Sequence, residues 1–151
     1  MTAIPALPDR IVVGVDGSTS STDALRWAAR IAPLLGCGID AVTTWQYAAA
    51  VYGYGAIAPS YQPDEEAKRM QDAVLDDVFA GSAPDTLRTF VVEGHPAQVL
   101  VERSASAELL VVGSRGHGGF VGLLIGSVSA HCAEHAVCPV TVVHHTEPAP
   151  E

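Results

Sequence analysis

Five short apolar runs, four of them leading into a segment of helical period, constrain this chain more than any other feature. RIVVGV gives a buried strand over Ile11–Val15, GIDAVTTW a second over Gly38–Trp45 and TLRTFVV a third over Thr86–Val92. Leu109–Val112 is a fourth, apolar on both alternating faces as in a strand covered by helices on both sides. Val140–Val143 is the fifth. Between the first two, Ala24, Ala28, Ile31 and Leu35 recur at helical spacing, while Asp23, Arg26 and Arg30 lie off that stripe. Ser20 with Asp23 marks a helix start and Gly36 a stop. Asp64–Ala80 carries Ala67, Met70, Val74 and Val78 on one side, with Asp64, Glu65 and Glu66 in its first turn. Pro96, with Ala97, Leu100 and Val101, opens a third helix, and Ser127–Ala136 makes a fourth.

Strict alternation of strand and helix implies right-handed crossovers and an open parallel sheet with helices on both faces, an α/β fold. At 151 residues the chain is expected to be one domain over 1–151. Ligands of such sheets sit beyond the carboxyl ends of the strands where strand order reverses. If the first and fourth strands are neighbours, Asp16 and the segment after Val112 share one crevice.

That segment, GSRGHGGFVGLLIGS over 113–127, holds six glycines between a strand and a helix. Gly113 at a strand end lets a ligand approach the backbone, and Gly116 is suited to positive φ and an inward N–H. Gly126 and Ser127 open a helix whose first N–H groups are unpaired at the positive end of its dipole, a seat for phosphate. Ser127 and Ser129 add hydroxyls, and Arg115 and His117 add positive charge toward outer phosphates. There is no GxxxxGK, so the Walker loop is excluded. A plain flexible connection is the alternative reading of the glycines.

Charge and composition narrow the partners. A net charge of -9, with eight scattered Lys and Arg, argues against a nucleic-acid surface. No apolar run is long enough to span a bilayer, and MTAIPALPDR is unlike a secretory signal. Three cysteines, without CxxC spacing, point to a reducing cytoplasm.

The pattern GxxG, nine residues, G[S/T], together with VGVDGS, GHPA and HAVCPVTVV, resembles the universal stress protein family, from about Arg10 to His144. In particular it is similar to that family's ATP-binding branch. The resemblance implies that Gly14, Val15 and Asp16 line the adenine and ribose end, with Thr44 making a backbone contact to adenine. It places Val112, Gly113, Arg115 and Gly116 along the ribose and α-phosphate, and Gly126, Ser127, Val128 and Ser129 on the phosphate chain. It also implies strand order 3-2-1-4-5 in a Rossmann-like sheet, a homodimer through the fifth strand, and ATP as ligand; Asp16 itself is a candidate to hold one Mg²⁺, directly or through water. The expected role is a regulatory or stress-response module; a slow ATPase, a phosphoryl-transfer enzyme and a cyclic AMP binder are the rivals.

Other residues admit two readings. Asp16 either caps a turn or contacts ribose or metal water. His131 and His135, four apart near Cys132 and Cys138, invite a zinc reading, but HCAEH is not HExxH and the thiols read better as small buried apolar groups. Trp27 and Trp45 pack in or near the core, or Trp45 borders the nucleotide. The stretch 46–63, with Tyr47, Tyr52, Tyr54 and Tyr61, is a surface loop near the ligand or an insertion.

Overall fold

The computed structural model describes residues 9–47, 62–116 and 125–145. Its elements are β1 (Arg10–Gly14), α1 (Thr19–Leu35), β2 (Gly38–Trp45), α2 (Pro63–Phe79), β3 (Arg88–Glu93), α3 (Pro96–Ser104), β4 (Leu109–Gly113), α4 (Ser127–His135) and β5 (Val140–Val143). All four strand pairs are parallel, in the order β3-β2-β1-β4-β5. The expected sheet is therefore observed, with strand ends shifted by one or two residues. The stretches 1–8, 48–61, 117–124 and 146–151, which hold the Tyr-rich loop, His117 and the tail, lie outside the described residues.

Period-two alternation gives the sheet two apolar faces. Ile11, Val13, Ile39, Ala41 and Val111 pack with Ala24, Leu25 and Ala28 of α1 and Val74 of α2. Val12, Val42, Leu110 and Val112 pack on the other face with Val99 and Leu100 of α3 and Cys132 of α4.

The first helix differs from its reading in two ways. Its N-cap is Ser18, whose hydroxyl accepts the Ser21 N–H, and not Ser20. Its buried stripe runs through Ser20, Ser21, Ala24, Leu25, Ala28 and Ala32. Leu35 is exposed because Gly36, in the left-handed conformation at φ 66°, ends the helix beyond the sheet. In α3 the buried positions are Ala97, Val99, Leu100 and Ser104, with Val101 partly buried against the same core. In β5, Val140 and Val142 face α3 and α4, whereas Val143 packs against the α1 side.

Two polar networks lock the sheet. At the amino end of the strands, buried Asp40 accepts from the Arg10 and Arg88 guanidinium groups, at 2.8 Å from each Nε. Burial pushes its carboxyl up, but the hydrogen bonds from Arg88 and Arg10 and their charges outweigh this and hold it below the ordinary 3.8. On α2, fully buried Gln71 reaches the Ala41 and Phe90 carbonyls and the Thr43 hydroxyl. Thr43 in turn donates to the Val15 carbonyl at 2.9 Å. A side chain of α2 thereby fixes the turn in which β1 ends.

Candidate functional site

Because β1 and β4 are neighbours and the chain crosses from β3 over to β4, strand order reverses at their carboxyl ends. A cleft of about 570 Å³ opens there, a size ordinary for small-molecule sites.

Its floor is apolar. Leu100 of α3 underlies Gly14, where a Cβ would come to 3.0 Å from Leu100 Cδ1. Val15 and Val112 join this floor. On one side the β1 register ends with Gly14 opposite Val42, and the Val15 N–H closes on the Val42 carbonyl at 2.8 Å. Alternate residues of a parallel strand direct their peptide groups to the same side. Thr44, two residues on, thus turns its N–H and C=O toward the β1 side beyond the end of that strand, into the cleft it lines. The Trp45 carbonyl points the other way and accepts the Gly94 N–H at 2.9 Å. Trp45 lies on the rim, its ring edge-on to Tyr47 at 5.6 Å.

Asp16 follows β1 with its carboxylate exposed. Oδ1 accepts from the N–H and hydroxyl of Ser18, the turn role, while Oδ2 lies beside Gly116, where a Cβ would stand 2.8 Å from it. Gly116 does not have the expected positive φ, and its backbone passes close to the exposed Asp16 carboxylate. Gly113 is fixed for a similar reason: a Cβ would meet the backbone of Ser20 and Ser21 at 2.6 Å. The start of α1 is pressed directly onto the end of β4.

The glycine segment is pinched at its base. The Ser114 carbonyl accepts the Gly126 N–H at 2.6 Å and the Ser129 hydroxyl at 3.1 Å, and the Ser114 N–H donates to the Val143 carbonyl. These bonds aim α4 at the cleft. Gly126 at its N-cap supplies no capping side chain, so the N–H groups of Ser127, Val128 and Ser129 are left for an acceptor. The first intrahelical bond is Ala130 N–H to the Gly126 carbonyl, at 3.0 Å. Ser127 is exposed, whereas Ser129 is 2% exposed with its hydroxyl on the Ser114 and Gly126 carbonyls. The expectation that both hydroxyls are free for phosphate therefore holds geometrically for Ser127 alone.

Gly14, Val15, Asp16, Thr44, Val112, Gly113, Arg115, Gly116, Gly126, Ser127, Val128 and Ser129 all line this one cleft, while His117 lies outside the described residues. Among the described residues, Asp16 is its only carboxylate and Arg115 its only cation. Sequence reasoning missed Ser20 and Ser21. Ser21 accepts the Asp16 N–H at 3.2 Å, and Ser20 bonds the Arg115 backbone. It also missed Leu100 and the β3–α3 turn at Gly94 and Pro96, which line the cleft. The GHPA string was the available signal.

The zinc reading is not met: among the described residues no group of three or more His, Cys, Asp or Glu is placed for a metal. Burial pushes the Cys132 thiol up to about 11 and raises that of Cys138, which keeps both protonated. Among the described residues no helix is long and apolar enough to cross a membrane.

The family model described as the universal stress protein family matches residues 8–144. A universal stress protein of Mycobacterium tuberculosis is 33% identical over 139 residues, covering 89% of this chain and 47% of that protein. One from Mycolicibacterium smegmatis is 36% identical over 137 residues, 88% and 45%. The chain spans about half the length of these curated relatives. Among solved structures, a universal stress protein of Lactobacillus plantarum superposes with TM-score 0.72 at 25% identity, covering 92% of this chain and 99% of that one. A universal stress protein in complex with cAMP superposes with TM-score 0.67 at 30% identity, covering 91% and 98%.

Proposed function

This chain belongs to the universal stress protein family, and we propose that it acts as a nucleotide-dependent regulatory or stress-response module whose ligand is ATP. The observation that carries this reading is the single cleft in which an uncapped helix N-terminus, the glycine turn, Asp16 and the open Thr44 peptide group converge. Thr44 would give adenine one donor and one acceptor, Val15 and Leu100 an apolar bed, and Asp16 Oδ2 a ribose hydroxyl acceptor. The N–H groups of Ser127, Val128 and Ser129, with the Ser127 hydroxyl, would hold the phosphate chain. Occupancy would change the surface around the glycine segment and so what a partner meets.

The cleft fits Mg²⁺ as part of a nucleotide complex. This ion commonly uses one or two carboxylates beside phosphate oxygens and water, and Asp16 has one oxygen engaged by Ser18 and one beside Gly116. When bound, the ion would neutralise phosphate charge; Asp16 would orient it through water. The same reading places the protein in the cytoplasm, where its three free thiols stay reduced, and in a homodimer joined along β5.

Cyclic AMP is the second reading, supported by the complex of the relative described above and by the inward hydroxyl of Ser129. Mass spectrometry of the ligand that copurifies, followed by calorimetry with ATP, AMP and cyclic AMP, tests both. Tightest binding of ATP with negligible phosphate release supports the module. Preference for cyclic AMP selects the second reading, and steady turnover selects an enzyme.

A further inference from the structure

Beside the nucleotide cleft, on the far side of Ser127, lies a second groove of about 490 Å³ that the roles assigned above leave unused. It is lined by His95, Ala97, Gln98, Ser127 and His131. Ser127 belongs to both walls, so the two spaces adjoin at the start of α4.

The lining is one-sided chemically. Two imidazoles, an amide and a hydroxyl are all able to donate, and no carboxylate lies among the described residues of the wall. That is unusual on a chain of net charge -9. His95 is the N-cap of α3 and makes no side-chain cap bond; Pro96 follows it, and the Ala97 and Gln98 N–H groups in this first turn have no intrahelical partner. His131 projects from α4, its ring packed against that of His135 at 4.4 Å. Of the neighbouring acids, Glu134 approaches His135 Nε2 at 3.6 Å, and Glu102 takes one hydrogen of the Gln98 amide at 3.3 Å, so the imidazoles and the Ser127 hydroxyl are the wall's principal donors. Donors from two helices thus converge where a phosphate chain leaving the α4 N-terminus would emerge.

We infer that His95 and His131 form an outer-phosphate subsite that makes the protein prefer a nucleoside triphosphate over a monophosphate. The inference rests on the reading of the cleft as a nucleotide site. An imidazole N–H donates to a phosphate oxygen in either charge state, so the subsite works through geometry and not through titration. Its occupant is a phosphate group, whose source is either the end of the nucleotide or a separate inorganic anion.

Calorimetry with ATP and AMP on the parent protein and on the His95→Ala/His131→Ala variant tests it. The parent should bind ATP about tenfold or more tightly than AMP. The variant should lose that preference with AMP binding unchanged, and His95→Gln/His131→Gln, which keeps a donor, should recover part of it. Equal weakening of ATP and AMP, or no change in either, overturns the subsite while leaving the nucleotide reading intact. Failure of the parent to bind any nucleotide overturns both. Inorganic phosphate separates the sources: displacement by ATP but not by AMP supports the nucleotide's own phosphate, and simultaneous binding of phosphate and ATP overturns the assignment.

Discussion

The Ser20 hydroxyl donates to the Arg115 carbonyl at 2.6 Å and accepts the Arg115 N–H at 3.3 Å, joining positions 95 residues apart in the chain. This pair ties the start of α1 to the glycine turn, so the first and fourth strand ends move as one wall of the cleft. Ser20→Ala leaves both partly buried backbone groups unpaired and should cost about 1 to 3 kcal/mol of stability. It should also weaken ATP binding several-fold, because the turn is no longer held in place. Chemical denaturation and calorimetry on the same variant check the two effects; an unchanged affinity would show that the tie is structural only.

Gly126→Glu separates folding from anion binding. A Cβ at 126 meets nothing closer than 3.4 Å and the backbone there is extended, so the variant should fold and melt near the parent. Its carboxylate at the α4 N-terminus would repel phosphate. Calorimetry should find ATP binding abolished; undiminished binding by a folded variant would remove the basis of the nucleotide assignment.

The two serines of α4 should part company. Ser127→Ala removes an exposed hydroxyl and should weaken ATP binding about tenfold with little change in melting. Ser129→Ala deprives the Ser114 and Gly126 carbonyls of a buried donor and should lower stability by about 1 kcal/mol, with the smaller effect on affinity. The reverse ranking would place Ser129 on the phosphate.

Asp40 sets an acid limit. Its carboxyl titrates below 3.8 in the folded state, so its contribution to stability is complete above the unfolded value and is lost as pH falls from there through the folded value. Unfolding free energy measured from pH 6 down to pH 2 should decline over that window in the parent. Asp40→Asn should be destabilised by about 3 kcal/mol at neutral pH, since Arg10 and Arg88 lose their counter-charge, and should show a shallower decline. Equal slopes for the two proteins would discount the network.

Among the described residues strand β5 is an edge of the sheet, with half-buried valines along it. Pairing with the same strand of a second copy would satisfy its open peptide groups. Val142→Pro removes a ladder donor and should reduce the sedimenting mass from two chains toward one, more than Val142→Thr does. A parent of one-chain mass at micromolar concentration would reject the dimer.

Legibility from sequence followed the range of the interaction. Alternating apolar runs and helical periods are local, so the nine elements and both faces of the sheet could be read directly. The glycines are local as well: Gly113, Gly116 and Gly126 stand at fixed spacing between a strand and a helix, where the structure also has them. The boundaries of α1 were less legible because Ser18 and Ser20 look alike in a string of hydroxyls; only the contact with Arg115 separates the cap from the tie.

What the sequence determined by itself was the order of elements and the chemistry of the cleft's named residues, since both depend on neighbours within one turn or one strand. What tertiary structure alone decided was which groups remain free. Ser129 turns its hydroxyl inward because Ser114 lies against it, Gly116 comes beside Asp16 Oδ2 because β1 and β4 are neighbours, and Thr44 opens its peptide group because β1 stops at Gly14. His95 and His131 likewise become neighbours only when α3 and α4 pack on the same face of the sheet. Each of these is a contact between segments far apart in the chain, and no local pattern records a distance.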